Sequence, residues 1–197
     1  ALSVVFVAAP TAGARVRTND RSLKCDPSCT VSGSCTGAIS KIGCGSCLAD
    51  FACWFASGDI GDESCGGGYS CSNAEGKIGD RSCVEGFSCN EAKGKIGDRS
   101  CVGDYSCYSA EGDIGDRSCG GGYSCSNAEG KIGDRSCVGD YSCARAEADI
   151  GSASCQGEAA CRKAGAFKIA DGACNGYRSC QGVKVDVAKG TCNNPFE

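Results

Sequence analysis

An eighteen-residue period constrains this chain more than any other feature of its sequence. Isoleucine recurs every 18 residues from Ile42 to Ile150, and the residues after it repeat with small changes. A fixed period of this length is typical of a chain that winds into stacked coils, each packed on its neighbours. We therefore expect a solenoid with regular coils over residues 42–186 and a degenerate first coil at 24–41. Position one of each coil is defined as this isoleucine.

Each repeat divides into three hexads, as in IGDRSC, VGDYSC and YSAEGD of residues 96–113. The first two hexads resemble the hexapeptide pattern of left-handed parallel β-helices, in which three hexads form one triangular coil. The resemblance implies that Ile96 points inward and that Gly97 eases the bend at a corner. Frequent glycine and the lack of a 3.6-residue apolar stripe argue against helix. The predicted fold class is all-β, a disulfide-braced parallel β-helix with triangular coils; left-handed winding is favoured and the handedness stays open.

Cysteine makes up 21 of the 197 residues, which is typical of disulfide scaffolds in oxidising compartments. Each repeat carries two cysteines with the spacing C-x5-C, at positions six and twelve. This spacing favours a bridge within each coil, and it resembles that of disulfide-braced insect antifreeze solenoids. Bridges between equivalent positions of neighbouring coils are the alternative, because those Cα atoms would also lie within bridging range.

The favoured pairing within coils leaves three cysteines over. The nine pairs are Cys29–Cys35, Cys47–Cys53, Cys65–Cys71, Cys83–Cys89, Cys101–Cys107, Cys119–Cys125, Cys137–Cys143, Cys155–Cys161 and Cys174–Cys180. Cys25 and Cys44 fall near the same corner of successive coils, so we expect them to form an N-terminal clasp. The position that would pair with Cys192 is one residue beyond Glu197, so we expect the chain to continue past 197; the alternative is that Cys192 is free.

The composition argues against most chemistry. The chain has no histidine, which excludes a Ser-His-Asp triad, a Cys-His dyad and histidine metal ligands. Its net charge of −4 with mixed signs argues against nucleic acid and against an anionic membrane surface. We expect no enzyme activity, no catalytic residues, no cofactor and no metal site. The Cys44–Cys47 CxxC is interpreted as structural.

Two further columns accompany the cysteines. Position three carries an acidic column beside a mostly basic column at position four: Asp62, Asp80, Asp98, Asp116 and Asp134, with Glu63, Arg81, Arg99, Arg117 and Arg135. We interpret them as a ladder in which opposite charges relieve each other, because the repeat motif of calcium solenoids is missing. Position ten carries an aromatic column, which we expect to stabilise one face: Tyr69, Phe87, Tyr105, Tyr123 and Tyr141. The alternative is a platform for polysaccharide.

The repeat breaks at its N-terminal end. Residues 1–24 form an apolar and basic arm; "ALSVVFVAAPTAGA" fits the end of a secretory signal, and "FVAAP" is similar to the motif that opens transit peptides of secondary plastids. The expected domain organisation is this arm followed by the solenoid at 25–197. We predict partner contacts at apolar residues of the arm and of the first regular coil: Val4, Val5, Phe6, Val7, Phe51, Trp54 and Phe55. For the first regular coil, the equal alternative is a cap packed under the arm.

The repeats IGDxSCxGxYSC over about residues 42–186 resemble cysteine-rich tandem-repeat proteins of algae with secondary plastids, diatoms especially. The resemblance implies a structural role in an oxidising compartment, either secreted or in the thylakoid lumen. The predicted function is a non-catalytic scaffold or linker, a rigid rod that docks through its ends and its arm onto protein partners in a larger, membrane-associated or extracellular, assembly. The alternative is a secreted carbohydrate-binding module that uses the aromatic column.

Overall fold

A computed structural model describes residues 15–16, 28–165 and 168–193 of the chain. Its named strands are short: β1 is Arg15–Val16 and β2 is Lys41–Ile42. They pair in parallel. In these ranges the remaining backbone consists of turns, bends and single β-bridges, and no helix has the length and apolarity that crossing a bilayer requires.

Successive repeats stack directly on one another. The residue at position one of each coil forms a parallel β-bridge with position one of the next, from Ile42 through Ile60, Ile78, Ile96, Ile114, Ile132, Ile150, Ile169 and Val187. The step is 18 residues except for the 19 between Ile150 and Ile169, where the extra residue Lys168 stands. One repeat is therefore one coil of a stack.

Backbone hydrogen bonds run both up and down the stack from every coil. The Ile96 N–H donates to the Lys77 carbonyl of the preceding coil at 2.8 Å, and the Gly97 N–H donates to the Ile114 carbonyl of the next coil at 2.8 Å. Between these points, i to i+3 turns carry the chain around its corners, as in the 3.2 Å bond from the Ala110 N–H to the Cys107 carbonyl, residues of the same coil. Neighbouring coils thus satisfy the amides that a lone coil would leave open.

Left-handed backbone is the feature that separates these coils from simple strands. In the coil of residues 96–113, φ is +57° at Arg99, +57° at Cys101, +54° at Tyr105 and +50° at Ser109. Each such residue costs roughly 1–2 kcal/mol, which the stacking must offset. These residues interrupt the extended backbone, so each coil contributes bridges and turns where a β-helix would contribute strands. The β-helix class and its handedness stay predictions.

The core is thin and built from small side chains. Ile96, Cys101, Cys107 and Ala110 are all buried, and the same four positions are buried in the coils that begin at Ile42 through Ile150. The serines that precede both cysteines of the coil are buried as well. Because so little apolar surface is available to bury, covalent bridges must carry much of the stability.

Nine disulfides occupy the described part of the chain, and each joins the two cysteines of one C-x5-C segment, with Cα–Cα distances of 5.5–5.7 Å. They are Cys29–Cys35, Cys47–Cys53, Cys65–Cys71, Cys83–Cys89, Cys101–Cys107, Cys119–Cys125, Cys137–Cys143, Cys155–Cys161 and Cys174–Cys180. Cys44 is also disulfide-bonded, and its expected partner Cys25 lies outside the described residues. Cys192 is a free, half-buried thiol.

The repeated glycine at position two has a different role from the one expected. Gly97 does not have a positive φ. A Cβ on Gly97 would lie 2.5 Å from Asp116 Oδ1 and 2.7 Å from the Asp116 amide of the next coil. The expectation that this glycine eases a corner is therefore wrong: it allows two backbones to approach closely, and the left-handed turns are made by residues with side chains.

The strand that pairs with the start of the first regular coil lies earlier in the sequence than the repeat predicts. Val16 pairs with Ile42 and Arg15 with Lys41, so Val16 occupies the place next to Ile42 that the period assigns to Lys24. These two residues fall within the segment predicted as an arm. They give the first regular coil a parallel partner of its own. The predicted contacts at Val4, Val5, Phe6 and Val7 lie outside the described residues.

Candidate functional site

The acidic column at position three links coils through the backbone. Asp116 Oδ1 accepts the Asp98 N–H at 2.9 Å, and Asp98 Oδ1 accepts the Asp80 N–H at 2.9 Å. The same bond recurs at the other regular coils between the carboxylates and amides of Asp134–Asp116, Asp80–Asp62 and Asp62–Cys44. Each carboxylate therefore satisfies an amide one coil away, and the column is part of the stacking.

A serine column lies directly behind this acidic column, at position five. The Ser100 Oγ donates to the Gly115 carbonyl at 2.7 Å and accepts the Ser118 N–H at 3.1 Å. The buried hydroxyl thus joins two groups of the next coil, and the pattern repeats along the stack. Sequence reasoning missed this role, although a serine that stands at position five in successive repeats was a signal for it.

The basic column at position four makes few contacts. Arg81 Nε donates to Glu63 Oε2 of the preceding coil at 2.7 Å, and this hydrogen bond raises the pKa of Arg81. In the described ranges, Arg99, Arg117 and Arg135 form no ion pair. The expectation that the Asp and Arg columns pair with each other is wrong for these coils, because each Asp carboxylate bonds a backbone amide and the guanidinium groups face solvent.

A second ion pair lies on another face and was not predicted. Lys93 Nζ donates to Glu111 Oε1 at 2.6 Å, which raises the pKa of Lys93. The two residues stand at position sixteen of successive coils, so opposite charges one period apart were the available signal. Both side chains are more than half exposed, so the pair contributes little to stability.

The acidic and basic columns together line an open groove of about 850 Å³ that runs along the stack from Asp62 to Ala153. Carboxylates and guanidinium groups line most of its length. Guanidinium groups do not exchange protons at neutral pH, and one oxygen of each bonded carboxylate is already engaged. The groove therefore presents charges of both signs to solvent.

The aromatic column forms a continuous ring stack. Tyr105 lies between Phe87 and Tyr123 with centroid distances of 5.0 Å on both sides and planes within 5°. The stack runs through Phe51, Tyr69, Phe87, Tyr105, Tyr123 and Tyr141. The Arg162 guanidinium lies 5.5 Å from the Tyr141 ring centre. Inner ring faces are covered by neighbouring rings, whereas a sugar platform requires exposed faces.

The predicted contact residues of the first regular coil do come together. Trp54 lies 4.9 Å from Phe55 and 6.1 Å from Phe51 between ring centres, in edge contacts. Phe55 is 53% exposed and Phe51 37%. Ile39, which was not predicted, adds an apolar side chain that is 69% exposed, at a position where the regular repeats carry charged or polar residues. We call Ile39, Phe51, Trp54 and Phe55 the N-terminal apolar patch.

Comparisons with known proteins agree with a tandem repeat. A family model, DUF7640, described as a domain of unknown function, matches the chain twice, at residues 13–106 and 99–196. Neither the curated proteins nor the solved structures contain a match. The many intramolecular disulfides indicate an oxidising or secreted environment. Because the two matches together cover most of its length, the chain belongs to the DUF7640 family.

Proposed function

We propose that this protein is a non-catalytic scaffold or linker, a rigid rod held by disulfides. One observation carries the proposal: the repeated polar side chains are used to join coil to coil. Asp98 and Ser100 both bond main-chain groups of a neighbouring coil, and so do their equivalents in other repeats. A chain that uses its repeated polar groups in this way gains stiffness along the stack rather than a converging set of reactive groups.

The rod docks through its N-terminal end onto a protein partner in a larger assembly. The N-terminal apolar patch supports this, because exposed aromatic side chains that cluster are typical of protein contacts. The strand Arg15–Val16 supports it too, since it lies at the same end of the stack, paired with Lys41–Ile42. The resemblance to algal repeat proteins favours an extracellular wall or filament, or a complex of the thylakoid lumen.

The test is co-purification from the source under native conditions. A tagged chain without residues 1–14, which keeps the strand Arg15–Val16, and a Phe55→Ser variant are each compared with the wild type. Tyr177→Ser is the matched control, because Tyr177 is also an exposed aromatic residue but lies outside the N-terminal apolar patch. A free-thiol count for each variant verifies that the disulfides have formed.

We expect the deletion and Phe55→Ser each to release partners that the wild type and Tyr177→Ser retain. If both altered chains keep the full set of partners, docking through this end is wrong. If the wild-type protein leaves the native extract as a free monomer, the scaffold role itself is wrong.

The carbohydrate-binding alternative uses a different surface and has its own test. In the described part, each inner ring of the column is covered on both faces, and this argues against stacking on sugars. A pull-down on insoluble polysaccharides with Tyr105→Ala and Tyr123→Ala distinguishes the two functions. Binding by the wild type that these variants lose would favour the carbohydrate-binding module.

A further inference from the structure

Most arginines of the basic column have no ion-pair partner among the described residues of their own molecule. Arg99, Arg117 and Arg135 stand at the same position of three successive coils and form no ion pair in the described ranges. Rings in these coils stack with centroids 5.0–5.2 Å apart, which gives the spacing between neighbouring coils. Like charges repeated at this distance repel one another unless carboxylates face them.

The carboxylates of the same face are fixed in place. Asp98, Asp116 and Asp134 each accept an amide of the preceding coil through Oδ1, so their positions follow the backbone. They stand one residue before the arginines and line the same groove. The face therefore presents two parallel stripes of opposite charge with one repeat distance.

We propose that this face binds the same face of a second copy of the chain, with the two stacks parallel. A two-fold axis along the stack direction places the Arg stripe of each copy opposite the Asp stripe of the other. An antiparallel pair, related by an axis across the stacks, would instead place Asp opposite Asp and Arg opposite Arg. Self-complementarity of this kind is what a two-fold interface requires.

The charges of the groove favour a second copy over a free polyanion. Its walls carry six carboxylates and four guanidinium groups: Asp62, Glu63, Asp80, Asp98, Asp116 and Asp134, with Arg81, Arg99, Arg117 and Arg135. A polyanion would lie against this acidic stripe as well as against the arginines, whereas each stripe of a second copy lies opposite a stripe of the other sign. Because a second copy has the same spacing between its charges, all the unpaired arginines can lie opposite carboxylates at the same time.

The residues at the ends of the two stripes determine how the two copies align along the stack direction. Arg81 is already paired with Glu63, and the next coil after Asp134 and Arg135 carries Ser152 and Ala153. Three arginines in each of two copies make six new pairs when the copies are level. A shift by one coil places Arg135 of one copy opposite Ser152 of the other and so removes one of the six pairs. The level, parallel dimer is therefore the favoured arrangement.

The first test is the association state of the oxidised full chain by analytical ultracentrifugation. Interactions between exposed charges extend over about 30 Å at 0.01 M salt and only about 3 Å at 1 M salt. We therefore expect dimers at the lower salt concentration and monomers at the higher salt concentration. The triple variant Arg99→Gln, Arg117→Gln, Arg135→Gln should dimerise about 100-fold more weakly, since six exposed pairs each contribute about twofold. Arg→Lys at the same three positions is the matched control and should still dimerise.

The acidic stripe has an equally close control. Asp98→Asn, Asp116→Asn and Asp134→Asn remove the charge but keep the Oδ1 oxygen that accepts the backbone amide. The coils should therefore stay stacked while dimerisation weakens to the same extent as in the Arg→Gln variant. Unchanged circular dichroism and an unchanged free-thiol count distinguish loss of pairing from loss of folding.

The relative orientation of the two copies is measured with a zero-length carbodiimide cross-link in an equal mixture of ¹⁴N- and ¹⁵N-labelled Arg135→Lys protein. The mixed labels distinguish cross-links between copies from those within one copy. A parallel, level dimer joins the introduced amine to Asp134 or Asp116 of the other copy. An antiparallel dimer joins it to residues near Asp62 and overturns the proposal. A wild-type chain that stays monomeric at low salt, or a dimer that survives the Arg→Gln changes, also overturns it. These outcomes concern a side face, so the scaffold function, which uses the N-terminal end, stands or fails separately.

Discussion

In the coils of residues 60–149, the two Ser–Cys corners have the same dipeptide, yet their serines differ in hydrogen bonding. At the first corner, the Ser100 Oγ bonds two groups of the next coil. At the second corner, Ser106 is equally buried, yet its Oγ has no hydrogen-bond partner in the described part of the chain. The second corner is held by ring stacking through Tyr105 and by the disulfide from Cys107.

This difference shows that the same dipeptide can have its buried serine hydroxyl hydrogen-bonded at one corner and without a hydrogen-bond partner at the other. The first corner is interlocked, because Asp98 and Ser100 bring side-chain oxygens to amides of neighbouring coils. Near the second corner, Asp104 Oδ1 accepts the Gly86 N–H of the preceding coil at 3.0 Å, but the buried serine adds no hydrogen bond, and ring stacking and the disulfide complete the contacts. Substitutions that are chemically equal should therefore differ in cost between the two corners.

The interlocked corner should be intolerant of a single added methyl group. Gly97→Ala places a Cβ against the Asp116 amide and carboxylate of the next coil, atoms that cannot withdraw without separating the coils. We expect a loss of at least about 3 kcal/mol in the free energy of unfolding, measured by denaturant titration with disulfides intact. Gly120→Ala, directly after Cys119, is the control, because its nearest neighbour would be at an ordinary 3.6 Å. Equal losses for the two variants would show that contact with the next coil is not the cause of the loss.

The disulfide joins the two corners, so its removal tests both together. The double variant Cys101→Ala, Cys107→Ala should lower the free energy of unfolding by about 2 kcal/mol, because a small ring in the unfolded chain is no longer closed. The same double change at Cys29 and Cys35, in the outermost described coil, is the comparison. We expect local amide exchange to rise around the altered coil in each case. A stability unchanged within error would show that stacking alone supports the coil.

The two serines of a coil should respond differently to the same substitution. Ser100→Ala leaves the Gly115 carbonyl and the Ser118 amide of the next coil without their partner, and should cost about 1.5 kcal/mol. Ser106→Ala removes a buried hydroxyl that has no partner, and should be neutral or slightly stabilising. Denaturant midpoints of the two variants measure the difference directly. The reverse order would show that the hydroxyl at the first corner does not hold the coils together.

The ring stack should show a smaller effect. Tyr105→Leu removes a ring that has stacked neighbours on both sides, and should cost about 1 kcal/mol. Tyr141→Leu, at the end of the stack, removes one ring neighbour and should cost less. Thermal unfolding of both variants tests the order. A larger loss at Tyr141 would place the stabilisation in the Arg162 contact instead.

Much of the candidate surface could be anticipated, and some of it could not. The aromatic part of the N-terminal apolar patch was visible because Trp54 and Phe55 interrupt the repeat beside Phe51. The part played by Asp98 was not visible, since a carboxylate column looks the same whether it meets arginines or backbone amides. Only the approach of the next coil brings the Asp80 amide within 2.9 Å of Asp98 Oδ1. That contact leaves the arginines unpaired and makes the side face a surface for a partner.

Periodicity alone established the repeat length, the tandem organisation, the thin core at Ile96 and Ala110, and the spacing of cysteines that a coil can close. It could do so because residues 18 apart meet the same surroundings in every coil. The stacking of the coils then set what each repeated residue does. Gly97 allows the backbone of the next coil to approach closely. Ser100 is hydrogen-bonded to the next coil, whereas the Ser106 hydroxyl has no hydrogen-bond partner among the described residues. Val16 pairs with Ile42 in the first position of the stack. The physical reason is that these roles depend on atoms of the neighbouring coil, whose distance and direction no single repeat encodes.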